Sequence, residues 1–134
     1  MRNIAYNAWI GGAAALLLAA PAFAHHSFAA EFDSDKPVTL TGTVTKIEWM
    51  NPHAYLYMDV VDEASGETTS WQIELGSPNG LRRLGWRQET VKEGDELQVQ
   101  GTLARVKPNL ANARSAMLVR TGERLGASSS EGQR

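Results

Sequence analysis

Hydrophobic and polar residues alternate along most of the chain beyond its amino-terminal segment, which is the pattern of half-buried β-strands. The first alternating stretch covers residues 38–50, and its apolar positions have one parity up to Val44 and the other from Ile47 onwards. Because a strand turns each successive side chain to the opposite face, this change of parity predicts a β-bulge near Thr45 and Lys46 in a long, bent strand.

The pattern beyond this strand predicts four more strands and one short helix. The strands are predicted at 54–62, 68–75, 97–103 and 116–120, with a polar loop at 106–114. Ser77 and Pro78 predict a helix start, because a serine hydroxyl caps a helix and proline suits its first position. Gly85 is the predicted end of that helix.

The predicted order is therefore three strands, a helix and two strands, a βββαββ arrangement. This order is typical of an all-β fold with one short helix, a five-stranded Greek-key barrel like the OB fold that binds oligonucleotides and oligosaccharides. An open meander with the helix on one face uses the same elements. We favour the barrel because closure removes the unpaired strand edges.

The first 24 residues have the features of a secretory signal peptide. Arg2 precedes an apolar run at 13–20, Pro21 ends the run, and Ala-Phe-Ala at 22–24 fits the small-x-small cleavage pattern. An uncleaved anchor or a buried helix are the alternatives. Cleavage after residue 24 would place the protein in the periplasm or outside the cell, with no stable membrane span left.

The length of 134 residues suits one folded domain. The predicted organisation is a signal peptide at 1–24, an amino-terminal strap at 25–37, the barrel domain at 38–125 and a disordered tail at 126–134. The 13 basic and 15 acidic residues argue against nucleic acid as a partner. The absence of cysteine excludes disulfides, cysteine-ligated metals and a thiol nucleophile.

Several sequence segments carry a resemblance to known proteins. They are HHSF at 25–28, TLTGTV at 39–44, EWMNPH at 48–53, Trp71, and the stretch from Gly94-Asp95 to Val-Gln-Gly at 99–101. With these segments the mature chain resembles a family of short exported bacterial proteins of unknown function. A looser similarity links it to exported bacterial OB-fold proteins that look like small-ligand or stress-related binding modules. Neither resemblance supplies catalytic residues, and both imply an exported protein with this fold.

The three histidines of the chain are the candidate metal ligands. After cleavage, His25 would present both its free α-amine and its imidazole Nδ1 to one ion, and His53 would add a second imidazole. Such a T-shaped nitrogen site suits Cu(II) and resembles, in ligand type, the histidine brace of exported copper carriers and copper oxygenases. His26 is a further candidate ligand, and Met50 offers a soft sulfur for Cu(I).

Two other interpretations stand beside copper binding. In one, the paired histidines are polar residues of a flexible start and His53 braces the Asn-Pro turn before it. In the other, Tyr55 and Tyr57 on the outward face of the second strand, with Trp49, stack on a sugar or another small organic ligand. The tyrosines could equally be half-buried under the strap.

An enzyme is the less favoured class. The chain has neither a Gly-x-Ser-x-Gly nucleophile elbow nor a glycine-rich phosphate loop. The sequence therefore predicts a small exported binding protein whose partner is a metal ion or a small molecule. A structural envelope protein without metal is the alternative, and the sequence identifies no protein partner.

Overall fold

The computed structural model of the protein describes residues 28–128, and β-strands dominate this range. The elements follow in the order α1 (Phe28–Glu31), β1 (Phe32–Glu48), β2 (Tyr55–Val61), β3 (Thr68–Glu74), α2 (Pro78–Arg83), β4 (Glu96–Ala104), β5 (Leu110–Leu118) and β6 (Arg124–Gly126). The predicted signal peptide, His25 and His26 lie outside the described residues.

The strands close into a ring. The antiparallel pairings run in the order β3-β2-β1-β4-β5, and a parallel pairing between β3 and β5 joins the two ends. In that parallel seam Gln72, Ile73 and Glu74 face Leu110, Ala111 and Asn112. The seam excludes the open meander and confirms the OB-fold-like class, with β6 added beside the second half of β5.

The long first strand bends where the change of parity predicted. The pairing of β1 with β2 shifts register between Val44 and Lys46, so Thr45 is the bulged residue. A bulge increases the local twist, and this lets β1 pair with β2 at one end and with β4 along the other. The predicted bulge is confirmed.

A glycine is required at position 101, where the backbones of β4 and β5 lie close together. A Cβ atom at Gly101 would lie 2.0 Å from the carbonyl oxygen of Asn112, a distance that no side chain can occupy. The register of β4 with β5 also shifts between Gln100 and Gly101. Close backbone approach at an irregularity is a common reason for glycine inside a strand.

Helix α2 begins as predicted. The Ser77 hydroxyl accepts a hydrogen bond from the Gly80 amide at 3.1 Å, and Pro78 occupies the first turn. Such a cap contributes about 1 kcal/mol. Leu81 is fully buried, which anchors the helix on the ring.

The inward faces of the strands and α2 form one hydrophobic core. Its largest fully buried side chains include Trp86, Leu56, Met58, Ile73, Leu75, Leu81 and Leu97. The Trp86 indole Nε1 donates a hydrogen bond of 2.8 Å to the Gly126 carbonyl, so its polar atom is satisfied inside the core.

Some boundaries differ from the sequence predictions. Strand β1 begins at Phe32 instead of residue 38, because Phe32 pairs with Ala104 before an irregularity and the register resumes at Pro37. The loop predicted at 106–114 is wrong from Leu110 onwards, where β5 begins. That part of β5 is rich in alanine and asparagine, which are weak strand formers, and its pairing with two neighbours outweighs their local preference.

No helix within residues 28–128 has the length and hydrophobicity needed to cross a membrane.

Candidate functional site

His53 is held at one end of the ring, directly before β2. The Ala54 amide donates to the Gly76 carbonyl at 3.1 Å, and the Leu75 amide donates to the Ala54 carbonyl at 2.9 Å. These two backbone bonds fix the start of β2 against the end of β3. The His53 side chain, 28% exposed, therefore has a defined position at the edge of the core.

The His53 ring is oriented by its Nδ1 atom. This atom lies 3.3 Å from the Leu75 carbonyl oxygen. Because a carbonyl oxygen only accepts, Nδ1 carries the proton when this bond forms. In the neutral ring, Nε2 then keeps its lone pair, and it takes part in no hydrogen bond with the described residues.

A buried carboxylate stands beside this ring. The Glu74 side chain is 8% exposed, and its Oε1 atom lies 3.9 Å from Nδ1 of His53. Asn112 Nδ2 donates to Oε1 at 3.1 Å, and the Tyr55 hydroxyl makes a long contact of 3.5 Å with Oε2. Burial raises the pKa of Glu74 above its ordinary value, while the charge of His53 acts in the opposite direction.

The same environment acts on Tyr55. Burial raises the pKa of its hydroxyl, and the charges of Glu74 and Glu31 raise it further. Glu31 is the last residue of α1, and its charge also raises the pKa of Glu74. Glu74 thus lies beside three polar side chains, those of His53, Tyr55 and Asn112.

The predicted metal ligands are only partly described. His25 and His26 lie outside the described residues, Met50 is 48% exposed, and His53 is placed as above. Within residues 28–128, no three histidine, cysteine, aspartate or glutamate side chains converge as metal ligands would. A site that combines His53 with two or more other side chains of these four types would need ligands from outside this range.

The three predicted ligand-face aromatics have different partners. Tyr57 lies between Lys46 and Glu48: it donates to Glu48 Oε2 at 2.9 Å, and the Lys46 ammonium lies 5.5 Å from its ring centre. Tyr55 faces Glu74 instead. Trp49 packs edge-on against Trp86, with ring centres 6.4 Å apart.

The hydrogen bonds around Tyr57 set the charges of Tyr57 and Glu48. Hydrogen bonds from Lys46 and Tyr57 lower the pKa of Glu48, and burial together with the bond to Glu48 raises the pKa of Tyr57. Near neutral pH, Tyr57 is therefore a neutral donor and Glu48 a charged acceptor.

Sequence reasoning missed Glu74 and Asn112. Alternation places Glu74 on the outward face of its strand, and Asn112 fell within a predicted loop. The signal that could have pointed to the pair is the short polar-apolar alternation from Leu110. This alternation is typical of a strand, although its alanine and asparagine residues are weak strand formers. Their contact depends on the parallel seam, which local pattern does not encode.

Two comparisons bear on identity. A family model described as a family of unknown function, DUF6152, matches residues 14–111, which run from the apolar amino-terminal segment to the start of β5. No curated protein matches the chain.

Proposed function

The chain belongs to DUF6152, a family of unknown function, and we propose that it is an exported copper-binding protein. The proposed ligands are Nε2 of His53 and the amine and imidazole of His25, exposed by cleavage after residue 24. His26 and Met50 are the secondary candidates. The observation that carries the proposal is the contact of 3.3 Å between His53 Nδ1 and the Leu75 carbonyl.

This contact supports metal binding because of what it does to the ring. Histidines that bind metals usually donate their second ring N–H to a carbonyl or carboxylate, which fixes the tautomer and the ring orientation. His53 has the carbonyl of Leu75 in that role and the Glu74 carboxylate close behind it. The ring is also partly exposed, so an ion from solvent can reach it.

Copper is favoured over other first-row ions by the nature of the donors. An amine and two imidazoles are nitrogen ligands, and Cu(II) is the tightest binder of such sets among the divalent ions. Binding must displace the proton of the α-amine, whose ordinary pKa is about 8, so affinity should rise with pH through that range.

The decisive experiment is a calorimetric titration of Cu(II) and Zn(II) into protein that begins at His25. We expect tight Cu(II) binding that weakens at least about a hundredfold in His53→Ala, since even loss of a supporting partner costs 10- to 100-fold. An added methionine before His25 should weaken binding similarly. The free amine then belongs to the methionine, so it can no longer bind the same ion together with the His25 imidazole.

His26→Ala is the matched control. Neighbouring side chains in an extended chain point apart, so this variant should keep most of the affinity. His53→Gln, checked by circular dichroism, separates loss of the ligand from loss of folding. Absence of Cu(II) binding by the unmodified protein, or equal binding by His53→Ala, would refute the proposal and favour a structural role without metal.

A further inference from the structure

A second candidate site lies on the outer surface of the ring, away from the interior core. It is an open groove of about 610 Å³. Lys46, Tyr57 and Gln72 are register partners on β1, β2 and β3, so they form one row across its floor. The loop between β4 and β5, which contributes Lys107 and Asn109, forms its wall.

The wall is fixed to the floor by two bonds. The Gln72 amide donates to the Asn109 carbonyl at 2.9 Å, and the Lys107 ammonium donates to the Gln72 side-chain oxygen at 2.7 Å. The groove is therefore formed before any ligand arrives. Its volume falls within the range of about 300–1,000 Å³ that is typical of small-molecule sites.

The charge of the groove is opposite to that of the whole chain. The formal net charge of the protein is −2, yet the residues that line the groove include two lysines and no aspartate or glutamate. Lys46 is paired with Glu48, which flanks the groove. Lys107 has a neutral amide as its partner and takes part in no ion pair within residues 28–128, so its charge is uncompensated.

The remaining lining combines rings with groups that both donate and accept hydrogen bonds. The rings belong to Tyr57 and Trp71, the amides to Gln72 and Asn109, and the hydroxyls to Thr45 and Ser70. Amides and hydroxyls match the hydroxyl groups of a sugar, and aromatic rings pack against its apolar C–H face. A single uncompensated ammonium matches one carboxylate.

From this combination we propose that the groove binds an acidic saccharide. Its carboxylate meets the Lys107 ammonium, and a sugar ring packs on Tyr57 with its hydroxyls bonded to Gln72 and Asn109. Nucleic acid is the less suitable occupant, because phosphate chains require several uncompensated cations in a row. This site is independent of the proposed copper ligands.

The test uses trigalacturonate as the probe and its methyl ester as a neutral probe of the same length. Binding to protein that begins at His25 is followed by tryptophan fluorescence and by amide shifts in NMR spectra, with chelator present. We expect saturable binding of the acid, weaker binding of the ester, and shifts at Gln72 and at Lys107–Asn109. Lys107→Gln should weaken binding of the acid about tenfold.

Two pairs of variants make the result specific. Lys92→Gln changes a lysine outside the groove and should leave the affinity unchanged. Tyr57→Phe keeps the ring and should retain most of the binding, whereas Tyr57→Ala should lose it. Thermal melting of each variant verifies that the fold is intact.

The proposal would be overturned by no binding of trigalacturonate at millimolar concentration, by equal affinity for the acid and its ester, or by equal loss in Lys92→Gln and Lys107→Gln. Binding of a mononucleotide in preference to the saccharide would also overturn it. Because chelator is present throughout, none of these outcomes depends on whether copper binds.

Discussion

At the scale of single residues, Glu74 shows how a side chain can be buried on the outside of a ring. Its strand alternates regularly, and Ile73 and Leu75 on either side point into the core. The Glu74 carboxylate is instead buried beside β5, where Asn112 donates a hydrogen bond to it. The alternation predicted the direction of the side chain correctly, but its burial depends on segments far away in the sequence.

The bond between Asn112 and Glu74 leads to a test by substitution. Glu74→Ala should reduce the free energy of unfolding by about 1–3 kcal/mol, because it leaves the buried Asn112 amide without its acceptor. Glu74→Gln keeps an acceptor oxygen in place and should cost less. Urea unfolding followed by fluorescence measures both, and equal losses in the two variants would show that the hydrogen bond is unimportant.

His53 marks the limit of site prediction. Its place at the turn before β2 could be predicted from Asn-Pro, and the structure adds the Leu75 carbonyl and Glu74 beside it. Those partners belong to β3 and its end, 21 and more residues away, and no local pattern links them. The bond between Lys107 and Gln72 was missed for the same reason.

At the scale of elements, local chemistry predicted the features that depend on one residue type. The bulge at Thr45 follows from parity, and the start of α2 follows from Ser77 and Pro78. The features that the sequence did not predict depend on pairing between strands. Strand β6 has only three residues and lies next to a glycine- and serine-rich end. It is a strand because it pairs with β5.

One carboxylate accepts three hydrogen bonds in the turn of the hairpin between β2 and β3. Asp62 accepts hydrogen bonds from the amide and the hydroxyl of Ser65 and from the amide of Ala64, at 2.7, 3.0 and 3.0 Å respectively. These bonds, the Ser65 amide above all, lower the pKa of Asp62 below its ordinary value of 3.8. The turn therefore depends on the charged form of this side chain.

This dependence predicts the pH response of Asp62→Asn. Since the pKa is lower in the folded state, the stabilisation is present above the unfolded value and is lost as pH falls through the folded value. The variant should melt below the unmodified protein at pH 7, and the difference should shrink at about pH 3. Glu63→Gln, at an adjacent exposed carboxylate, is the control. A difference that is constant with pH would contradict the prediction.

At the scale of the whole molecule, the segment after β5 joins three parts of the fold. Leu125 and Ala127 are buried, and the Ala127 amide donates to the Arg114 carbonyl at 2.9 Å. The Gly76 amide donates to the Ala127 carbonyl at 2.8 Å, beside the bond from Trp86 to Gly126. The segment thus ties β5, the start of α2 and the core together. Of the disordered tail predicted at 126–134, residues 129–134 lie outside the described residues.

A chain that ends at Glu123 should therefore be much less stable. Loss of the buried Leu125 side chain, of the three hydrogen bonds named above and of the pairing of β6 with β5 should reduce the free energy of unfolding by about 3–6 kcal/mol. A chain that ends at Ser128 keeps all of these contacts and is the control. Thermal unfolding by near-ultraviolet circular dichroism compares the two, and equal midpoints would show that the segment does not contribute.

The parallel seam between β3 and β5 has a consequence for aggregation of the protein. Only three residue pairs form it, whereas seven join β2 to β3. If these pairs separate, each of the two strands is left with a row of unsatisfied amide and carbonyl groups, which is a template for strand pairing between molecules. The pairing of β3 with β5 is the shortest in the ring, and it is also the one that keeps these two strand edges from pairing with another molecule.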